Sequence, residues 1–270
     1  MKCLWNKFWL LVLSLLIIAG CSAPTVQKSE APSVDTQTEV ATGSVAKDEK
    51  SYQSAAKSSE RLGTQWGEGI GSNVTTVDLR RVSNNPVDMM QISYSAARQS
   101  GRQVQEGMIA NGRIGVAVLN DRNGKWSMTQ NGKNFYLKGT KGERYQLFYR
   151  NYSNKTYEIV ATVDGLDVIN GSAGSISNTG YVLYPNSTLT IEGFRKNSSE
   201  VAAFRFSAAQ DAYAANTPAG SIKNTGIIGT AVFELYDPNK RTVTPKPRTD
   251  EPKAFPADEK GYAPPPVYGN

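Results

Sequence analysis

The stretch Tyr157-Glu158-Ile159-Val160-Ala161-Thr162-Val163-Asp164-Gly165 decides the fold class. Tyr157, Ile159, Ala161 and Val163 fall at every second position, with Glu158, Val160 and Thr162 between them. That period of two is the signature of a strand with one face turned to a core. Asp164-Gly165 then supplies a tight-turn dipeptide, so the strand closes into a hairpin. Working outward, the same kind of segment recurs. Ile114 to Leu119 is an apolar run ending in the turn cluster Asn120-Asp121-Arg122-Asn123-Gly124, and Phe135 to Lys138 is a shorter strand. In Arg144 to Arg150, Tyr145, Leu147 and Tyr149 share one face, while Arg144, Gln146, Phe148 and Arg150 share the other. Leu166 to Ile169, Tyr181 to Tyr184, Leu189 to Arg195, Val201 to Phe206 and Ile227 to Leu235 continue the series. Thr64 to Ser93 adds two or three more, through Val74-Thr75-Thr76-Val77 and Met89 to Tyr94. Repeats of about ten residues, separated by Asn, Gly and Ser, indicate an all-β, antiparallel, sandwich-like domain over residues 61–240. Such a length buries about 70% of the unfolded surface. Helix is confined to two short, weakly patterned candidates, Ala96 to Gln105 and Ala208 to Ala215.

One motif occurs twice. Gly174-Ser175-Ile176-Ser177-Asn178-Thr179-Gly180 is echoed by Gly220-Ser221-Ile222-Lys223-Asn224-Thr225-Gly226, and each copy leads into an apolar strand. Two copies are too few for a solenoid. The structural reading is one loop shape used twice, with Asn and Gly supplying left-handed angles. The functional reading is a pair of loops forming one binding rim.

The flanks differ in composition. From residue 21 to about residue 60 the chain is Ser, Thr, Ala, Val, Lys and Glu with almost no large apolar side chain. It cannot bury enough surface to offset chain entropy, and reads as a disordered tether. As a flexible coil it would reach about 35 Å. From Arg241 onward Pro245, Pro247, Pro252, Pro256 and Pro264 to Pro266 mark an extended, Pro-rich, disordered tail. Within it Ala263-Pro264-Pro265-Pro266-Val267-Tyr268 has the form of a docking peptide for an aromatic groove; a solubilising end is the plainer reading.

At the N-terminus, Lys2 and Lys7 precede an apolar run from Phe8 to Ala19 that only Ser14 interrupts, too short to span a bilayer comfortably. It closes on Ile18-Ala19-Gly20-Cys21. These four residues resemble the lipobox of bacterial lipoproteins. The resemblance implies that residues 1–20 are a cleaved leader and that the Cys21 thiol carries a diacylglycerol, with the new amine acylated. Several acyl chains together anchor stably, since each buried methylene contributes about 0.8 kcal/mol. Ser22, where an Asp would signal inner-membrane retention, implies the outer membrane. A second resemblance covers about residues 111–235. It runs through Val163-Asp164-Gly165-Leu166-Asp167-Val168-Ile169, Gly180-Tyr181-Val182, Ile191-Glu192-Gly193-Phe194-Arg195, Val201 to Phe206 and Tyr213-Ala214-Ala215. It is similar to a β-rich domain of uncharacterised bacterial exported proteins, and it implies a fold without an activity.

Composition narrows the chemistry. The chain contains no histidine, which removes His-based nucleophile systems, His-ligated zinc and the usual neutral-pH base. Its two cysteines are Cys3, which leaves with the leader, and Cys21, so the mature protein is expected to have no disulfide. The formal charge of +6, two of it in the leader, is mild. Without a dense basic stripe, nucleic acid is not an expected partner. No cofactor or metal is expected: Asp164-x-x-Asp167 lacks the oxygen density of a calcium loop. Asp164, Asp167, Glu192 and Asp211 form the remaining catalytic set, in principle a glycosidase pair, although no motif fixes their geometry. Asp164 reads better as a turn residue, Glu192 as the polar side of a strand and Asp211 as a surface charge. A binding face of Arg144, Phe148, Arg150, Phe194, Arg195 and Arg205, with aromatics beside guanidinium groups, could hold sugars or anions. Its counter-reading buries both phenylalanines and pairs the arginines with Glu143, Glu192 or Glu200. The expectation is a membrane-anchored envelope lipoprotein, non-enzymatic, binding an envelope protein or wall glycan. The alternatives are a carboxylate-dependent carbohydrate-active enzyme, or a surface adhesin or pilus-associated subunit that joins by edge-strand addition.

Overall fold

In the computed structural model, which describes residues 60–236, 252–256 and 261–268, the period-two pattern becomes two packed sheets. In chain order the strands are β1 (Leu62–Gly71), β2 (Thr75–Thr76), β3 (Arg80–Arg81), β4 (Asp88–Ser95), β5 (Arg102–Val104), β6 (Gly107–Ile109), β7 (Ile114–Asn120), β8 (Met128–Asn131) and β9 (Asn134–Lys138). They continue as β10 (Arg144–Asn151), β11 (Tyr157–Val163), β12 (Leu166–Asp167), β13 (Tyr181–Leu183), β14 (Thr188–Ile191), β15 (Gly193–Arg195), β16 (Glu200–Ala208), β17 (Ile227–Tyr236) and β18 (Lys253–Ala254). The first sheet has the order β1-β16-β10-β7-β6, with β14 on β10 and β15 on β16. The second has the order β2-β18-β13-β11-β17-β4-β9-β8-β5, with β12 on β11. Pairing is antiparallel except at β4–β9 and β2–β18.

The core lies between the sheets. Tyr157, Ile159, Ala161 and Val163 of β11 enter it from one side; Tyr145, Leu147 and Tyr149 of β10 enter from the other. Ile159, Val163 and Leu147, fully buried, contribute about 1.5–3 kcal/mol each. Aromatic rings fill one end: Tyr145 stacks on Phe206 at 4.4 Å, and Phe194 meets Tyr213 at 4.7 Å and Phe204 at 5.1 Å.

Asp164 and Gly165 form the expected two-residue hairpin turn, both with positive φ, +54° and +78°. Asp164 does more than turn the chain. Its buried carboxylate accepts from Thr64 N at 2.7 Å, Tyr94 Oη at 2.5 Å, Gly226 N at 2.8 Å and Ile227 N at 3.4 Å. Thr64 Oγ1 carries the network on to Tyr94 Oη (2.8 Å) and Tyr145 Oη (2.6 Å). One turn residue therefore ties β1 and β10 of the first sheet to β4 and β17 of the second.

Three expectations change. Residues 96–105 hold no helix and end in β5, while 208–215 gives only two 3₁₀ turns, Ala209–Asp211 and Tyr213–Ala215. Leu189 to Arg195 is two strands, because the chain leaves β10 at Glu192 and pairs with β16 instead. The Pro-rich tail is packed on the domain in both of its described stretches. Residues 252–256 hydrogen-bond along β13, and Ala263 is a core residue. The tether and Cys21 lie outside the described residues.

Candidate functional site: a groove on the outer face of the second sheet

Strand alternation sends Val160 and Thr162 of β11, Gly229 and Ala231 of β17, and Met89 and Gln91 of β4 to the face away from the core. In an exposed sheet these positions would carry polar side chains. Here Val160, Ala231 and Phe233 form a second, separate apolar cluster outside the main core. Arg81 roofs one end of it. Its guanidinium lies 3.7 Å from the Phe233 ring centroid and grips Glu158 through Nε (2.5 Å) and Nη2 (3.1 Å). The ion pair lets Glu158, almost fully buried, stay on this face.

The rest of the cluster opens into a groove of about 670 Å³. Its floor is low because Gly229 has no side chain and Ala231 a short one. One wall is the first copy of the repeated motif, through Gly174, Ser175 and Ile176, with Ala173 just before it; β4 supplies the opposite wall through Met89; Asn224 of the second copy closes an end. None of the fifteen lining residues is charged and none is aromatic. Met89 is 61% exposed and Ile176 47%, although both are large and apolar. Large apolar side chains left exposed beside a concave, mostly apolar lining make this groove the candidate interaction site. A smaller, more polar depression of about 430 Å³, reaching Met108 and Lys133, adjoins it through Met89, Met90 and Gln91.

The groove is held open by backbone clamps. Each motif copy makes the same turn: Ser175 Oγ accepts from Ser177 N and Ser221 Oγ from Lys223 N, both at 3.2 Å. Asn178 N and Asn224 N donate to the carbonyls of Ser175 and Ser221. An arginine also fixes each isoleucine carbonyl, Arg81 on Ile176 O and Arg61 on Ile222 O, both at 2.7 Å. The shared sequence is thus a shared loop shape, as the structural reading expected. Only Gly226 (φ +90°) supplies a left-handed angle; the two asparagines do not. Both copies also contribute to one rim.

The binding face read from the sequence comes apart. Phe194 is a core residue, wedged among Trp66, Phe204 and Tyr213. Arg195 is 1% exposed and joins the sheets, donating through Nε to Tyr181 Oη (2.8 Å) and through Nη1 to Ser72 O (2.7 Å) and Asn197 O (3.2 Å). Neither side chain lies on the outer face of the first sheet, because the chain changes partner at Glu192 and pairs with β16, where both are buried. Arg144, Phe148, Arg150 and Arg205 do face outward on the first sheet, but they are locally engaged. Arg144 and Arg205 are cross-strand neighbours that share Glu68, at 3.7 and 2.8 Å, and not Glu143, Glu192 or Glu200. The Arg205 hydrogen bond holds the Glu68 carboxyl below its ordinary range. Lys125 sits 5.3 Å over Phe148, and Arg150 lies 5.3 Å from the exposed Tyr152 ring.

The carboxylates are not gathered for catalysis. Asp164 is consumed by its four donors, and burial pushes its carboxyl up to about 6 against their pull. Asp167 is buried, its Oδ1 accepting from Ile169 N and Asn170 N. Asp211 pairs on the surface with Lys141, and Glu192 is half-buried between β14 and β15. Among the described residues no group of His, Cys, Asp and Glu could hold a metal ion.

Sequence reasoning missed the groove residues Met89, Val160, Gly229 and Ala231. The available signal was the apolar character of both faces of β11 and β17. Comparison with protein-family models, with curated protein sequences and with solved structures finds no match to this chain. What the fold and the site define together is a class: an all-β, sandwich-like domain with a preformed apolar groove on one outer face.

Proposed function

We propose that this is an outer-membrane lipoprotein, anchored through acylated Cys21, whose β domain is a non-enzymatic module that binds an apolar, uncharged segment of an envelope protein along the groove. The observation that carries the reading is the groove itself: rigid walls, no charge among its lining residues, and exposed Met89 and Ile176 beside a covered apolar cluster. Its volume lies in the range of binding pockets. An uncharged lining selects against anionic or cationic ligands, since an unpaired charge would lose its hydration there. Wall glycan is the poorer fit to this groove, because sugars stack on aromatic rings and the lining has none. Edge-strand addition finds less support than the groove: β2, β5 and β6, at three of the four sheet ends, are two or three residues long, which blunts them as templates.

The test is co-purification of the full chain from detergent-solubilised envelopes, comparing the natural chain with Gly229→Val. A Cβ at Gly229 would meet only the Thr162 side chain, 2.5 Å from its Oγ1, and no backbone atom, so valine fills the groove once the Thr162 side chain turns aside. The expected result is a stoichiometric protein partner that is lost in the variant while the melting temperature holds. Equal recovery with both chains would overturn the groove as the site, and release of soluble sugar from wall material would favour the carboxylate enzyme.

A further inference from the structure

We propose that the cleft lined by Ile169, Gly171, Arg195, Tyr213 and Asn216 is a second binding site, specific for an extended proline-rich peptide with a small residue before the first proline. In this structure the chain's own residues 261–268 occupy it. Four main-chain contacts hold the segment. Ala263 N donates to both Ile169 O (3.1 Å) and Arg195 O (3.0 Å), Tyr213 Oη donates to Pro264 O (2.6 Å), and Val267 N donates to Asn216 O (2.8 Å). Main-chain recognition of an extended peptide gives affinity, and pockets for individual side chains give selectivity. The pocket here is the Ala263 position, 4% exposed. It faces Gly171, where a Cβ would come within 2.7 Å of Tyr213 Oη and 3.0 Å of the Ala263 methyl. A side chain at position 171 would collide with the seated alanine, and the near-complete burial of Ala263 favours a small residue there.

Pro264, Pro265 and Pro266 restrict the segment to an extended, polyproline-like backbone, so little entropy is lost when it seats. Val267 and Tyr268 stay 74% and 53% exposed. The segment is therefore held by its backbone, by the small Ala263 side chain and by Tyr262, which packs part-buried against the core. The cleft crosses the seam between the sheets: Arg195 comes from β15 of the first, and Ile169 and Gly171 follow β12 of the second. A tethered copy of the ligand competes at an effective concentration in the millimolar range. The tail thus keeps the site closed to weak peptides and yields to a partner that presents the same motif with greater affinity or in many copies.

The test uses the full chain in detergent and a fluorescent peptide of the sequence Gly261 to Tyr268. Ala263→Asp puts an unpaired charge at a buried position and frees the cleft. Val267→Pro removes one donor at an exposed position and weakens docking without touching the core. By fluorescence anisotropy the peptide is expected to bind Ala263→Asp well, Val267→Pro less and the natural chain least. A peptide with leucine at the alanine position should not bind. Adding Tyr213→Phe to Ala263→Asp should weaken binding about threefold to tenfold. If Ala263→Asp does not fold, the comparison of Val267→Pro with the natural chain decides. Equal peptide binding by the natural chain and the folded variants, absence of binding to all of them, or indifference to the leucine peptide would each overturn the proposal.

Discussion

Replacing Tyr94 by phenylalanine removes one atom from the network that ties the sheets together, and its cost should depend on pH. The ring stays where it is, packed 5.2 Å from Phe206 and 6.4 Å from Tyr145. What is lost is the 2.5 Å hydrogen bond to Asp164 and the 2.8 Å link to Thr64. Burial lifts the Asp164 carboxyl from its ordinary 3.8 to about 6 in the folded protein. Below 3.8 the folded and unfolded chains both hold the proton; between 3.8 and about 6 only the folded chain does. Stability from this group is therefore complete at the acid end and falls as pH rises through about 6, by about 3 kcal/mol in all. At about pH 7 the carboxylate is ionised, and a hydrogen bond to a charged group contributes about 1.5–3 kcal/mol. At about pH 4.5 it is neutral in the folded state, and the same bond contributes about 0.5–1.5 kcal/mol. The neutral form is tolerated because the hydroxyls of Tyr94, Thr64 and Tyr145 can reverse their donor order. Urea unfolding followed by fluorescence, with Trp66 and Trp126 as reporters beside the core, measures the difference at each pH. The variant should lose more stability at neutral than at acid pH, and its stability should fall more steeply between them. An equal loss at both, or a larger loss in acid, would refute the assignment of Asp164 as the titrating hub.

Other consequences follow from single positions. Arg195→Ala should cost about 3 kcal/mol or more, because it leaves Tyr181 Oη and Ser72 O unpaired in the interior. Arg150→Ala, on the exposed face, should change the unfolding free energy from urea titration by no more than about 0.5 kcal/mol. Gly193→Ala would place a methyl 2.0 Å from Ala202 O, a backbone atom that cannot step aside, so thermal melting should show a loss above about 2 kcal/mol. Cys21→Ser should shift the protein from the membrane to the soluble fraction on cell fractionation.

Much of the sheet architecture is legible in the sequence, since β7, β10, β11 and β17 each announce themselves by apolar period or run. β1 is not, because Leu62–Gly71 carries four glycines and no alternation, and its ten residues become a strand only by pairing with β16. The binding face failed for a related reason. Reading Leu189 to Arg195 as one strand, with Leu189 and Ile191 inward, puts Phe194 on the outer face, whereas the change of partner at Glu192 leaves both Phe194 and Arg195 buried. The hub at Asp164 hides behind an ordinary turn signal, since nothing local tells that Thr64, a hundred residues earlier, donates to it. The docked tail depends on Gly171 and Tyr213, which are distant in sequence and complementary only in space. The repeated motif did carry usable information: its two copies build one rim, although sequence alone could not say that they meet.

Occupancy of the outer groove is read directly by photo-crosslinking in intact cells. A photoreactive side chain at Met89, in the groove wall, is compared with one at Val267, which is more exposed but remote from it. A discrete protein adduct from Met89 that is absent at Val267 is the expected result. No adduct from Met89, or the same adduct from both positions, would contradict it.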